Sequence, residues 1–153
     1  MDVSLIKDEN IIQTAVFRES YIPLIPKSEF MLTNKRILGG FVNVLLWIIP
    51  TGKNQITYPL NQVSGVRIDT DFNIKELLIG LLLLVGGLIT IRDILGIFLI
   101  LLGVLAILNS FKTLLVIQNT SGASVALQVI KADKNKVWEF VNNVNNVLAE
   151  RLN

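Results

Sequence analysis

Two long stretches without a charged residue, 77–91 and 94–111, dominate the chain, and only Arg92 and Asp93 stand between them. A helix needs about 20 apolar residues to cross the hydrocarbon core of a bilayer. Each stretch alone is a little short of that. Read as a pair, they form the two arms of a helical hairpin that folds between Ile91 and Arg92. Gly80 and Gly87 are seven residues apart, and so are Gly96 and Gly103. The fold point brings Gly87 level with Gly96 and Gly80 level with Gly103. A seven-residue spacing keeps residues on one side of a left-handed helix pair, and small residues let membrane helices approach closely.

The same mirror sets Phe72 level with Phe111 and Asp71 level with Lys112. Two aromatics at one depth read as an interfacial belt, and the opposite charges as its wet edge. Residues 72–111 are therefore expected to be a transmembrane hairpin with arms 72–91 and 92–111. Phe72, Lys75, Phe111 and Lys112 would lie at the membrane interface, with Lys75 snorkelling outward. Two other readings stand beside this one: a buried helical pair, and a re-entrant hairpin that does not fully cross. Arg67, Lys75 and Lys112 lie near the open ends of the hairpin. The positive-inside bias then predicts a two-span protein of the cell membrane with both termini cytoplasmic.

The composition agrees with an apolar environment: 52% of residues are hydrophobic and 17% charged, where about 25% charged is usual. The chain does not lack apolar surface to bury, which argues against disorder. Fourteen basic and twelve acidic residues give +2, too balanced for a nucleic-acid binder that works by charge. Histidine and cysteine are absent. That removes disulfides, thiol chemistry, cysteine or histidine metal sites and histidine acid–base relays. The first ten residues, MDVSLIKDEN, carry four charges and do not read as a secretory signal.

The flanks read as β structure. Residues 11–18, 29–33, 36–43, 55–60 and 63–69 are candidate strands, with a turn at Asn34 and Lys35 and another over 50–54. After the hairpin, 113–118 and 124–130 flank a polar, glycine-containing loop. Val137, Val141, Val144, Leu148 and Leu152 fall on one face of a closing helix, with Asp133 as its expected N-cap. Asn142, Asn143, Asn145 and Asn146 are expected mostly on its solvent side. The apolar run 41–50 around Trp47 reads as a buried strand, or as a loop touching the bilayer interface or a partner. Neither flank alone builds a core, so the economical arrangement is one curled antiparallel sheet plugged by the final helix.

At Phe30-Met31-Leu32-Thr33-Asn34-Lys35-Arg36-Ile37-Leu38, and again at Tyr58-Pro59-Leu60-Asn61-Gln62-Val63-Ser64-Gly65-Val66, the sequence resembles the bacterial PH-like (pleckstrin-homology-like) domain family. The two closing strands and final helix resemble it too. The resemblance implies an α+β protein: a bent antiparallel seven-stranded barrel or sandwich capped by the C-terminal helix, here interrupted by the two-helix transmembrane hairpin. The domain would be split into 1–71, with about five strands, and 112–153, around the 72–111 insert. Such a hairpin would tether the domain at two points and fix its orientation.

No enzyme site is expected, and no cofactor or metal. The Asp69-x-Asp71-x-Asn73 spacing starts like a calcium loop, but Ile74 and Gly80 stand where glycine and glutamate are needed. Lys27, Lys35, Arg36, Trp47, Lys53 and Arg67 are candidate contacts for lipid or a partner, the basic ones through general attraction to anionic lipid. The function expected is a membrane-tethered, non-enzymatic binding or scaffold module at the cytoplasmic face. Its expected partners are the lipid bilayer, an unidentified protein and, given the glycine-lined hairpin, further copies of itself. The alternative is a small oligomeric pore or permeabilising protein built on the hairpin, which the nearly unbroken apolar arms disfavour.

Overall fold

A computed structural model describes residues 4–45 and 48–151. β1 (Ile11–Phe17), β2 (Ser28–Thr33), β3 (Arg36–Leu45) and β4 (Ile49–Pro59) form one antiparallel sheet in that order. A single 3-10 turn, Leu60–Gln62, leads into β5 (Val63–Phe72). Two helices follow, α1 (Ile74–Ile89) and α2 (Ile94–Asn109), and then β6 (Phe111–Asn119) and β7 (Ser124–Ile130). β5, β6 and β7 make a second antiparallel sheet. A short 3-10 turn, Lys131–Asp133, opens α3 (Lys134–Glu150).

The alternation of apolar side chains explains the sandwich. Phe30 and Leu32 of β2, Leu115 and Ile117 of β6, and Leu127 and Val129 of β7 all turn to one core, since alternate strand residues share a face. α3 closes it with Val137, Phe140, Val141 and Val144, at helical spacing. Phe17, Phe30 and Phe140 meet at ring-centroid distances of 5.6, 5.9 and 6.0 Å, joining the first sheet to the helix. Two asparagines on the flank of α3 bond to the sheets, although Asn145 is still exposed. Asn145 accepts from the Val66 N–H at 3.2 Å and donates to the Val66 carbonyl at 3.0 Å. Asn143 donates to Gln13 Oε1 at 2.9 Å. They pin the helix to both sheets.

Several expectations are corrected. The seven strands lie in two sheets of four and three, not in one seven-stranded barrel. Residues 50–54, expected as a turn, lie within β4, which extends the β3–β4 ladder out to Leu45↔Ile49. Among the described residues, no helix is long and apolar enough to cross a membrane. α1 and α2 have 16 residues each, a rise of about 24 Å where the hydrocarbon core measures about 30 Å. The expected arms lose residues at both ends. Phe72 and Phe111 belong to paired strands, Asn73 and Ser110 are helix caps, and residues 90–93 make the turn. The two-span membrane topology, its transmembrane helices and the cell-membrane location built on them fall with that finding. Leu152 and Trp47 lie outside the described residues.

Two carboxylates lock the body. Arg18, just past β1, donates to Asp133 from its backbone N–H at 3.1 Å and from its guanidinium at 2.9 and 2.8 Å. Asp133 sits at the N-cap of α3 without capping it, because its carboxylate is turned to Arg18. Those bonds hold its carboxyl down at about 2. Glu9 is likewise held at about 2, first by the Arg36 guanidinium and then by the Ile6 N–H and the Thr33 hydroxyl. A depressed folded-state pKa contributes stability above the ordinary carboxylate range that is lost as pH falls through the folded value. Urea unfolding should therefore show stability falling between about pH 4 and pH 2. Asp133→Asn should be less stable at pH 7 and lose less on acidification. An unchanged acid limb in that variant would show that the pair does not contribute.

Candidate functional site: the root of the apolar hairpin

The helical hairpin is built inside out. The residues of α1 that are buried are Glu76, Gly80 and Gly87, and those of α2 are Gly96, Gly103, Ala106 and Asn109. The large apolar side chains point outward: Leu82 is 73% exposed, Ile89 79%, Ile94 89% and Leu95 61%. None of the hairpin's side chains joins the core cluster of the body.

The glycines explain the close fit of the arms. A Cβ on Gly80 would lie 2.9 Å from the Gly103 carbonyl oxygen, and one on Gly87 would lie 2.8 Å from that of Gly96. Gly96 also faces the Thr90 carbonyl of the turn. Backbone meets backbone at these levels, so no larger residue fits without parting the helices. The register continues into the sheet, where Asp71 pairs Lys112 and Phe72 pairs Phe111. One mirror thus runs from β5 through both helices to β6.

At the root, Asn73 Oδ1 accepts from the Lys75 and Glu76 N–H groups at 3.1 and 3.3 Å, which starts α1. The Asn73 N–H donates to the Ser110 carbonyl at 2.9 Å, closing the hairpin's neck. Beneath it lies a buried ion pair. Lys112 Nζ donates to Glu76 Oε1 at 2.8 Å and to Gln128 Oε1 at 3.1 Å. Asn73 Nδ2 also donates to Glu76 Oε1, at 3.2 Å. Glu76 Oε2 is buried with no hydrogen-bond partner among the described residues. Phe72 and Phe111 meet beside the neck at 5.1 Å between centroids, their rings tilted by 44°, and Lys131 Nζ lies 5.5 Å from the Phe111 centroid. A cavity of about 330 Å³ opens here, walled by the ends of β5 and β6 and by Lys131 and Lys134.

The basic residues singled out in the sequence do not form one site. Lys27 and Lys53 share the wall of a second, smaller cavity of about 200 Å³ with Glu29. Arg36 is committed to Glu9 at 2.9 and 3.0 Å. Lys35 donates to the Lys7 carbonyl, and Arg67 pairs with Asp69 at 3.1 Å on the surface. Lys75 is exposed at the start of α1. Lys131, Lys134 and Gln128 were not singled out. Lys131 and Lys134 straddle the start of the last helix, but only the pairing of β5, β6 and β7 brings that start to the hairpin's root.

Nothing at the root is arranged as a nucleophile with its base. Ser28 donates to Glu19, whose carboxyl is pushed up by burial, and Glu19 also accepts from the Val42 N–H at 3.0 Å. That contact ties β2 and β3 to the chain after β1. Among the described residues, no group of three acidic side chains is placed to hold a metal ion.

Removing one member of a buried ion pair leaves the other uncompensated and costs about 3–5 kcal/mol. Glu76→Leu and Lys112→Met should each show that loss in chemical denaturation. The double variant should recover most of it, and strictly additive losses would mean that the two side chains are not coupled. Gly87→Ile with Gly96→Ile should part the arms and lower the melting temperature. An unchanged melt would contradict the backbone contact.

Comparison with family models, with curated proteins and with solved structures found no match.

Proposed function

We propose that the protein is a non-enzymatic binding module of the PH-like kind that docks on an anionic lipid surface through its hairpin without crossing it. The two-sheet body is left free to meet a protein partner. The observation that carries this reading is the inverted burial of α1 and α2, with glycines inside and leucines, isoleucines and Phe98 outside. A monomeric protein in water rarely exposes a contiguous apolar patch beyond a few hundred Å². Here apolar side chains cover both helices.

The polar ends of the hairpin set how it would lie. Arg92 and Asp93 are exposed at the tip, and Lys75, Lys131 and Lys134 at the root. The helices between them rise about 24 Å. A hairpin that does not cross must keep both polar ends at one face. It therefore lies along the interface, sunk beneath the headgroups, as interfacial helices do. The motif resemblance around Thr33-Asn34-Lys35-Arg36 supports a binding role for the body. A pore built from several hairpins draws no support, since the exposed side chains of α1 and α2 are nearly all apolar and a channel needs polar lining.

The test is sedimentation with vesicles of mixed neutral and anionic phospholipid, followed by trypsin added from outside. The protein should pellet with the vesicles, and Leu82→Asp with Phe98→Asp should release it while circular dichroism stays native. Trypsin should cut after Arg92 from the same side as after Arg67. Protection of Arg92 while Arg67 is cut would overturn the non-crossing geometry. A stable dimer that ignores vesicles would overturn the lipid reading.

A further inference from the structure

We infer that the cavity at the hairpin's root is a headgroup site that takes the phosphate of an anionic phospholipid. The inference rests on the lipid-docking reading above and adds to it a defined position for recognition. Asp71, Phe72, Phe111, Lys112, Lys131 and Lys134 are among the residues that line the cavity. Its volume, about 330 Å³, lies at the lower end of small-ligand sites.

The charges around it are unequal. Lys112 is neutralised by Glu76 beneath the cavity floor. That leaves Lys131 and Lys134 facing the single carboxylate of Asp71. The nearby Asp133 carboxylate is already occupied by Arg18 and Lys136. Lys131 is exposed, and its Nζ lies 5.5 Å from the centroid of Phe111, another residue of the cavity wall.

Position decides between a lipid phosphate and a free one. Phe72 and Phe111 line the cavity and also form the aromatic pair where the hairpin leaves the body. This pair marks the boundary between the exposed apolar surface of the hairpin and the polar body. With the hairpin sunk beneath the headgroups, the cavity mouth lies in the headgroup layer, and lipid phosphate is the anion it meets. The site is distinct from the Lys27 and Lys53 cavity, which is built from β2, β3, β4 and the loop before β2.

The experiment compares two double variants with the same net charge, Lys131→Gln with Lys134→Gln, and Lys27→Gln with Lys53→Gln. All four lysines are exposed, so both variants should fold, which circular dichroism checks. Binding is measured to vesicles of phosphatidylcholine alone and to vesicles with one-third phosphatidylglycerol. Removing Lys131 and Lys134 should weaken anionic-vesicle binding by roughly 25-fold and leave neutral-vesicle binding unchanged. Removing Lys27 and Lys53 should cost at most a few-fold. Equal losses in the two variants would overturn the site in favour of general charge attraction. Inorganic phosphate that binds the free protein as tightly as the anionic vesicles do would overturn the lipid source. Failure of the unmodified protein to bind either vesicle would instead overturn the docking reading itself.

Discussion

The register between β5 and β6 is the constraint on which the rest depends. It pairs Phe72 with Phe111 and Asp71 with Lys112, and it delivers two helices side by side at a fixed height. Only then do the glycines of one arm meet those of the other. A one-residue slip in a strand pair turns every side chain to the opposite face. Here it would also move the glycines off level and drive isoleucine or leucine into backbone. Sheet and hairpin enforce the same alignment, so errors in either are penalised in both.

The Lys112–Glu76 pair works at the junction of those two elements. Buried ion pairs often contribute little net stability, because desolvation offsets attraction. Their value lies in direction. Lys112 reaches from the second sheet to the first turn of α1 and to Gln128 of β7. An apolar contact could fill the same space, but it would tolerate sliding. A hydrogen-bonded pair inside a low-dielectric neck does not, and it specifies how α1 leaves the sheet.

Much of this was legible in the sequence, and the limits have physical causes. The mirror about Ile91 and Arg92 follows from glycine positions alone, because backbone contact between helices leaves no other residue type possible. The strands on either side follow from alternation and turn residues. The length of the helices did not follow. At the first junction Asn73, three residues before Glu76, does mark the start of α1, and the expected arm 72–91 overruns it; at the second, the uncharged run 94–111 carries no mark of where α2 ends and β6 begins. The cap of α3 was misread in another way. Asp133 stands at the right position, yet Arg18, far away in sequence, takes its carboxylate. Asn143 and Asn145 stay at least partly exposed, and only the fold supplies the bonds they make to Gln13 and Val66. Residues 30–33 and 36–38 announce a strand pair. Nothing local announces that α3 begins beside the hairpin's root, which is a product of tertiary closure.

The neck has a mechanical meaning. A domain on a single flexible stalk can swivel. The chain passes between body and hairpin through Asn73 and Ser110, which are bonded to each other, and Lys112–Glu76 and the Tyr21 N–H on Asn109 Oδ1 tie the same junction. Any twist applied to the helices passes through that clamp into β5 and β6. Asn145 grips the backbone of Val66 on β5, so α3 must turn with the strands. The hairpin is in effect a rigid handle. Whatever surface holds it also dictates which way the four-stranded sheet faces.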